Sequence, residues 1–248
     1  MNIIRPKYLK SEMEPRQMKT AAILTAAGSG QRLGAAVPKA LVEVGGRSLV
    51  AWAAKNLVES GVVDHIIVTC PPGYELEIGN QLAELFHGKP GVTFETVIGG
   101  ETRQASVAAG LAIVPDKTEI ILVHDAARPF ASLGLVQNVV QAVEQGHPAV
   151  IPALPVTDTI KRIDHQAVVE TVPRELLVAV QTPQGFRREL LERAHREAPH
   201  SLATDDAGLV EALGEPVVVI PGEPAAMKIT TPADLAYAEI ALVKSDGN

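Results

Sequence analysis

Short apolar runs alternate with longer stretches of helical periodicity along most of this chain, and no other feature narrows the choice of fold so far. Residues 21–24, 65–69, 92–97, 119–123 and 149–152 read as strands. Between them, residues 48–59, 74–86, 102–113 and 133–144 read as helices. In the first helix Leu49, Trp52, Ala53 and Leu57 recur at helical spacing, and Ser48 stands where an N-cap belongs. A strand–helix–strand rhythm of this kind predicts an α/β fold: a mostly parallel sheet with helices on both faces. At 248 residues the chain suits a single domain over about 20–248.

The rhythm breaks after Pro152. Thr157, Thr159, Ile160, Ile163, Val168 and Val169 give residues 155–171 a β-branched pattern, divided by a turn at Asp164-His165-Gln166. We read a protruding antiparallel arm at about 155–175, either pairing with another subunit or closing on its own sheet. The α/β pattern resumes with helices at 187–197 and 205–213, a strand at 217–220, and a helix at 232–243 with Pro232 in its first turn. Residues 1–19 differ from the rest. They carry Arg5, Lys7, Lys10, Arg16 and Lys19 against Glu12 and Glu14 and have no apolar core, which reads as a disordered extension.

Composition excludes several functions. A net charge of −7 argues against a nucleic-acid binder, and 3% aromatic residues leave little to stack on bases. One cysteine, Cys70, permits neither an internal disulfide nor a cysteine-based zinc site. No apolar run approaches the roughly 20 residues a bilayer span needs. A soluble cytoplasmic protein is expected.

The strongest local signal follows the first strand: Ala26-Ala27-Gly28-Ser29-Gly30-Gln31-Arg32-Leu33-Gly34-Ala35-Ala36-Val37-Pro38-Lys39. A loop at the carboxyl edge of the first parallel strand is where α/β folds bind nucleotides. Gly28 and Gly30 permit close backbone approach to phosphates. The dinucleotide fingerprint fails, because Leu33 stands where its third glycine belongs; the P-loop fails, because Lys39 follows Pro38. What remains is a glycine turn with two cations, Arg32 and Lys39, suited to charge building up on a triphosphate. The alternative is a tight surface turn with solvated charges.

Other polar groups sit at strand ends. In His124-Asp125-Ala126-Ala127-Arg128-Pro129, Asp125 could hold Mg²⁺ or orient a polyol hydroxyl, and Arg128 could take a phosphate; equally, the two could pair locally in a turn. In Gly99-Gly100-Glu101-Thr102-Arg103-Gln104-Ala105-Ser106 the glycines could bring backbone against a base edge, with Arg103 and Ser106 on one helical face. Arg174 and Lys228 suit a second phosphate or a solvated surface. Thr204-Asp205-Asp206 reads as a helix cap before a functional acid. The histidines at 65, 87, 147, 165, 195 and 200 read as surface or turn residues, and nothing marks a covalent nucleophile.

Taken in order, A-A-G-x-G-x-R…P-K, G-G-x-x-R-x-x-S-V, H-D-A-A-R-P, V-x-D-T-I-K, T-V-x-R, Q-T-P-Q-x-F, T-D-D and K-I-T-x-P-x-D-L resemble the 2-C-methyl-D-erythritol 4-phosphate cytidylyltransferases over about residues 21–242. The sequence departs from the family pattern at Ala40, Glu101 and Pro173. The resemblance implies a Rossmann-like, glycosyltransferase-A-like nucleotidyltransferase fold. It implies transfer of CMP from CTP to methylerythritol phosphate with Mg²⁺, the acceptor's own phosphate being the nucleophile, so that no general base is needed. Arg32 and Lys39 would then stabilise the transition state. Lys228 and Arg174 would hold the acceptor phosphate, with Thr159 assisting. Asp125 and Arg128 would contact the polyol and the metal-bound region. Ala26, Ala27, Gly28, Gly100, Glu101 and Ser106 would surround the cytidine. A homodimer with interlocked arms would put Arg174 and Thr159 in the neighbour's site. The competing readings are a ribitol 5-phosphate cytidylyltransferase and a catalytically idle nucleotide binder; Asp158-Thr159 and Thr171-Val172-Pro173-Arg174 favour methylerythritol phosphate over the first, and Arg32 with Lys39 argues against the second.

Overall fold

A computed structural model describes residues 19–28, 30, 33–34, 37–87, 91–197 and 203–245. The sequence-predicted extension therefore lies outside the described residues as far as Met18, as do Arg32 and His200, whereas Lys19 already belongs to the first strand.

The chain runs through Lys19–Thr25 (β1), Glu43–Val44 (β2), Arg47–Ser48 (β3), Leu49–Glu59 (α1), His65–Cys70 (β4), Glu75–Phe86 (α2) and Thr93–Ile98 (β5). It continues with Arg103–Leu111 (α3), Thr118–Asp125 (β6), Leu133–Glu144 (α4), Ala149–Pro155 (β7), Ile160–Asp164 (β8) and Ala167–Val172 (β9). Val178–Val180 (β10), Gln184–Arg187 (β11), Arg188–Glu197 (α5), Asp206–Ala212 (α6), Val218–Pro221 (β12) and Pro232–Ser245 (α7) complete it. Side-chain caps explain where helices begin: Ser48 accepts from Ala51 N–H, Thr102 from Ala105, Ser132 from Leu135 and Asp205 from Gly208.

The main sheet has eight strands in the order β10-β7-β11-β6-β1-β4-β5, with β12 on the far side of β7. Strands β6, β1, β4 and β5 are parallel. Because side chains alternate across a strand, Ala22 and Leu24 of β1 face one layer and Ala21 and Ile23 the other. The first layer packs on α1, α2 and α4; the second packs on α3, α5 and α6. The expected helices on both faces are therefore present.

Two strands of the main sheet escape the sequence reading, as does the short β2–β3 pair. β11 is inserted antiparallel between β6 and β7, and β10 continues beside β7. Both are short, and β11 includes Gly185, whose missing side chain admits Val139 and Val143 of α4; a Cβ there would lie 2.5 Å from Val139. A two-residue connection, His165-Gln166, joins β8 to β9, with His165 at φ 49°. This hairpin forms a separate two-stranded sheet, and its Ile163 and Val168 are 62% and 61% exposed. The surface reading of the histidines fails twice: His65 is buried, and the side chain of His195 is only 6% exposed.

Candidate functional site

The chain builds outward from β1 through β4 to β5, then returns to the other side of β1 as β6. The loops leaving β1 and β6 therefore diverge at their carboxyl ends, where open α/β sheets form ligand crevices. Thr25 and Asp125, the last residues of these strands, are register partners. Above them lies a cavity of about 710 Å³, within the size range of small-molecule sites. Of the sequence-predicted site residues, Ala26, Ala27, Gly28, Gly30, Lys39, Gly100, Glu101, Arg103, Ser106, Asp125 and Lys228 line it. Arg128, Thr159 and Arg174 do not. Thr159 is exposed and Arg174, half exposed, donates to Thr157 O at 2.6 Å.

Glycines set the cavity walls by letting backbone approach side chains. Gly30 has φ +67°, and a Cβ there would fall 2.6 Å from Cβ of Lys39, so the turn fits only against this lysine's stem. Lys39 opens a short 3-10 turn after Pro38, which fixes the lysine's entry. On the opposite wall, a Cβ on Gly99 would lie 2.4 Å from Ala27 Cβ and 2.9 Å from Ser106 Oγ, and one on Gly100 would lie 2.4 Å from Ala105 Cβ. The buried Ser106 hydroxyl lies within donor reach of the carbonyls of Thr102 (2.9 Å) and Gly100 (3.2 Å), holding the glycine turn to the first turn of α3.

The charges converge on Asp125. Lys228 Nζ lies 2.7 Å from its Oδ2; Arg103 Nε and Thr25 Oγ1 each lie 3.2 Å from its Oδ1. Arg128 Nε is 3.8 Å away. Burial alone would raise the carboxyl pKa, but Arg103, Lys228 and Arg128 together hold it well below the usual carboxylate range. Arg128 spends its other donors on scaffold: Nη1 bonds Ala226 O at 2.8 Å and Nη2 bonds Val180 O at 3.2 Å. It thus fixes the segment leading to Lys228 rather than reaching into the cavity.

Magnesium finds no protein cage here. Among the described residues no cluster of three or more His, Cys, Asp or Glu could hold a metal ion. Asp125, the carboxylate that the sequence reading offered to magnesium, turns Oδ1 to Arg103 and Oδ2 to Lys228.

Sequence reasoning gave no role to Gln181-Thr182-Pro183-Gln184, which ties three site segments together. Gln181 exchanges both of its amide hydrogen bonds with the main chain of Glu223, at 2.8 and 2.9 Å. Thr182 Oγ1 accepts from Asp125 N–H at 3.0 Å and meets His124 Nδ1 at 2.8 Å. Gln184 bonds Asp205 Oδ2 at 2.7 Å and Ala207 N–H at 3.3 Å. His124 is buried, and desolvation pulls its pKa down to about 4 despite the neighbouring Asp125. The motif itself was the available signal: three polar side chains crowd a segment that enters a buried strand.

A sequence model of the family 2-C-methyl-D-erythritol 4-phosphate cytidylyltransferase matches residues 20–244. The chain belongs to this family. It is thus an enzyme, a nucleotidyltransferase of isoprenoid-precursor synthesis. Among its relatives, the 2-C-methyl-D-erythritol 4-phosphate cytidylyltransferase of Saccharopolyspora erythraea is 48% identical over 234 residues, covering 91% of this chain and 100% of the relative. That of Frankia casuarinae is 47% identical over 230 residues, covering 92% of this chain and 83% of the relative. Two crystal structures have similar folds. The Thermus thermophilus cytidylyltransferase has a TM-score of 0.72 and 39% identity, covering 92% of this chain and 100% of its own. The 4-diphosphocytidyl-2C-methyl-D-erythritol synthase of Anaerococcus prevotii has a TM-score of 0.77 and 31% identity, covering 91% and 99%. Among the described residues no helix is long and apolar enough to cross a membrane.

Proposed function

We propose that this enzyme joins methylerythritol phosphate to CTP by direct in-line displacement, and that Lys39 and the Asp125–Lys228 pair, facing one cavity, divide the work. An oxygen of the acceptor phosphate attacks the α-phosphorus of CTP. A new P–O bond forms, the bond from the α-phosphorus to the bridging oxygen breaks, and pyrophosphate leaves with the electron pair. The nucleophile is already anionic, so no proton need be removed. Catalysis then rests on orientation and on fixed positive charge. Lys39, with Arg32 by its place in the motif, stabilises the negative charge that builds at the α-phosphate. Lys228 exchanges its contact with Asp125 for the acceptor phosphate. The Ala26-Ala27-Gly28 and Gly100-Glu101 edges, with Ser106 behind them, receive the cytidine. Magnesium enters as the counter-ion of the triphosphate, as part of the substrate.

The arm supports a shared site. Its apolar Ile163, Val168 and Val169 are exposed, and neither Thr159 nor Arg174 lines the cavity of its own chain. In a cytoplasmic homodimer each arm would carry Arg174 and Thr159 to the partner's acceptor phosphate. Mixed dimers of Lys39→Ala and Arg174→Ala subunits then regain activity that neither parent has; verified mixed dimers without rescue would refute the shared site.

The deciding experiment measures pyrophosphate release with CTP and Mg²⁺, comparing 2-C-methyl-D-erythritol 4-phosphate with ribitol 5-phosphate. Release with the first alone is expected. Preference for the second keeps the chemistry and overturns the acceptor. Silence with both, from folded protein that binds CTP, overturns the catalytic reading.

A further inference from the structure

Behind Arg103, on the side away from the cavity's charge cluster, lies a second carboxylate. Asp206 opens α6 and is 1% exposed, yet its carboxylate meets two partners. Its Oδ2 takes Arg103 Nη1 at 2.6 Å, and its Oδ1 meets Nε2 of His195 on α5 at 2.8 Å. We propose that His195 and Asp206 are positioning residues for acceptor use: together they pin Arg103 from behind, so that Arg103 holds only one oxygen of Asp125 and leaves the other to Lys228. The proposal rests on the reading of Asp125 and Lys228 as acceptor groups.

Three observations carry it. The α5–α6 contact does not need a charge, because Leu190, Leu191 and Ala194 already pack in one apolar cluster with Leu209 and Val210. A buried polar contact adds little to such packing, so its placement points to another task. The residues on either side of Asp206 are also held, since Gln184 bonds both the Asp205 side chain and the Ala207 N–H. His195 completes the restraint. Its ring is buried on α5, and its Nδ1 has no hydrogen-bond partner among the described residues, so the bond to Asp206 is the polar contact it makes.

The geometry gives Arg103 two anchors of opposite direction, Asp206 on Nη1 and Asp125 on Nε at 3.2 Å. A guanidinium freed from the rear anchor can turn its fork onto a single carboxylate. Arg103 would then cover both oxygens of Asp125 and displace Lys228 from its 2.7 Å contact.

The test is steady-state pyrophosphate release with each substrate varied in turn, on His195→Ala, His195→Gln, Asp206→Asn, Arg103→Ala and the double variant His195→Ala/Arg103→Ala. His195→Ala should raise KM for the acceptor about tenfold, with KM for CTP changed less than about twofold. His195→Gln, whose amide nitrogen can donate at similar reach, should recover most of the loss. The double variant should be no worse than Arg103→Ala, because the histidine acts through that arginine. Should His195→Ala unfold at the assay temperature, Asp206→Asn must give the same split. An unchanged acceptor KM in the folded variants, or multiplying effects in the double variant, overturns the proposal. Lys228→Ala separates it from the underlying reading: an unchanged acceptor KM there sinks the assignment of Lys228 itself, whatever His195 does.

Discussion

Replacing Gly30 with alanine probes the link between backbone conformation and catalytic charge. Gly30 sits at φ +67°, where an L side chain costs about 1–2 kcal/mol. The added Cβ would also lie 2.6 Å from Lys39 Cβ, 3.1 Å from its Cα and 3.2 Å from its N. Carbon atoms rest at about 3.5–4.0 Å, so the lysine must retreat by about 1 Å. Moving a unit charge from about 3 to about 4 Å from a developing negative charge, at an effective dielectric near 20, weakens the attraction by about 1.4 kcal/mol. That is about tenfold in rate, and misalignment extends the loss toward about 10². Urea unfolding should show a loss of at least about 1 kcal/mol, and pyrophosphate release a 10- to 100-fold fall in kcat. Gly28→Ala is the control, because a Cβ there meets nothing within 4 Å and the position lacks a positive φ. Its stability should be unchanged or slightly raised. Gly30→Ala with wild-type stability and kcat within about twofold of wild type would refute the reasoning, since neither the strain nor the displaced lysine would then be real.

Lys39→Ala should lower kcat by about 10²–10³ while CTP binding stays measurable by calorimetry, as expected for one lost stabiliser. His124, held neutral in the fold at a pKa of about 4, accepts a proton more readily when unfolded near 6.5, so stability falls as pH drops from 6.5 toward 4. The window is worth about 3 kcal/mol. His65 is shifted in the same direction, and the depressed Asp125 carboxyl adds a further loss below its unfolded value of 3.8. Urea midpoints at pH 7 and pH 5 should differ accordingly, and His124→Gln should flatten the slope. Cys70 is buried, and desolvation pushes its thiol up to about 12, so iodoacetamide should label it in urea but not in the native protein.

The parallel half of the sheet was legible because β1, β4 and β6 each carry a continuous buried apolar run. Ala21–Leu24 admits no polar face, and 65–69 needed only its flanking turns to be bounded. β10 and β11 were not, because three- and four-residue strands carry too few alternations to register as a period. Within the site, the residues that line the cavity were found through glycines and cations at strand ends. What the sequence hid was which charge meets which. Nothing near Asp125 in the chain announces that Lys228, over a hundred residues away, rests on its oxygen. Arg128 looked like a phosphate binder until the carbonyls of Val180 and Ala226 took its donors. His195 gave no signal at all: on a strongly amphipathic helix, a single histidine reads as part of the solvent face unless Asp206 is known to lie beneath it. Spacing along the chain reports local geometry, and these pairings are made across the fold.

A carboxylate at the centre of a cleft for two anionic substrates runs against simple charge complementarity. Arg103, Arg128 and Lys228 would nevertheless repel one another if left alone, and mobile cations stabilise a transition state poorly because they must reorganise as charge develops. Asp125 offsets that repulsion and fixes their directions before substrate arrives. It does so unequally. Arg128 is tied to two carbonyls and Arg103 to Asp206, whereas Lys228, 41% exposed, is bound by the carboxylate and faces the cavity. Of the three cations, only Lys228 can therefore turn to an incoming phosphate without breaking a scaffold bond. Under the proposed function, Asp125 aims that lysine until the phosphate replaces it, and the carboxylate is a placeholder for the acceptor rather than a competitor with it.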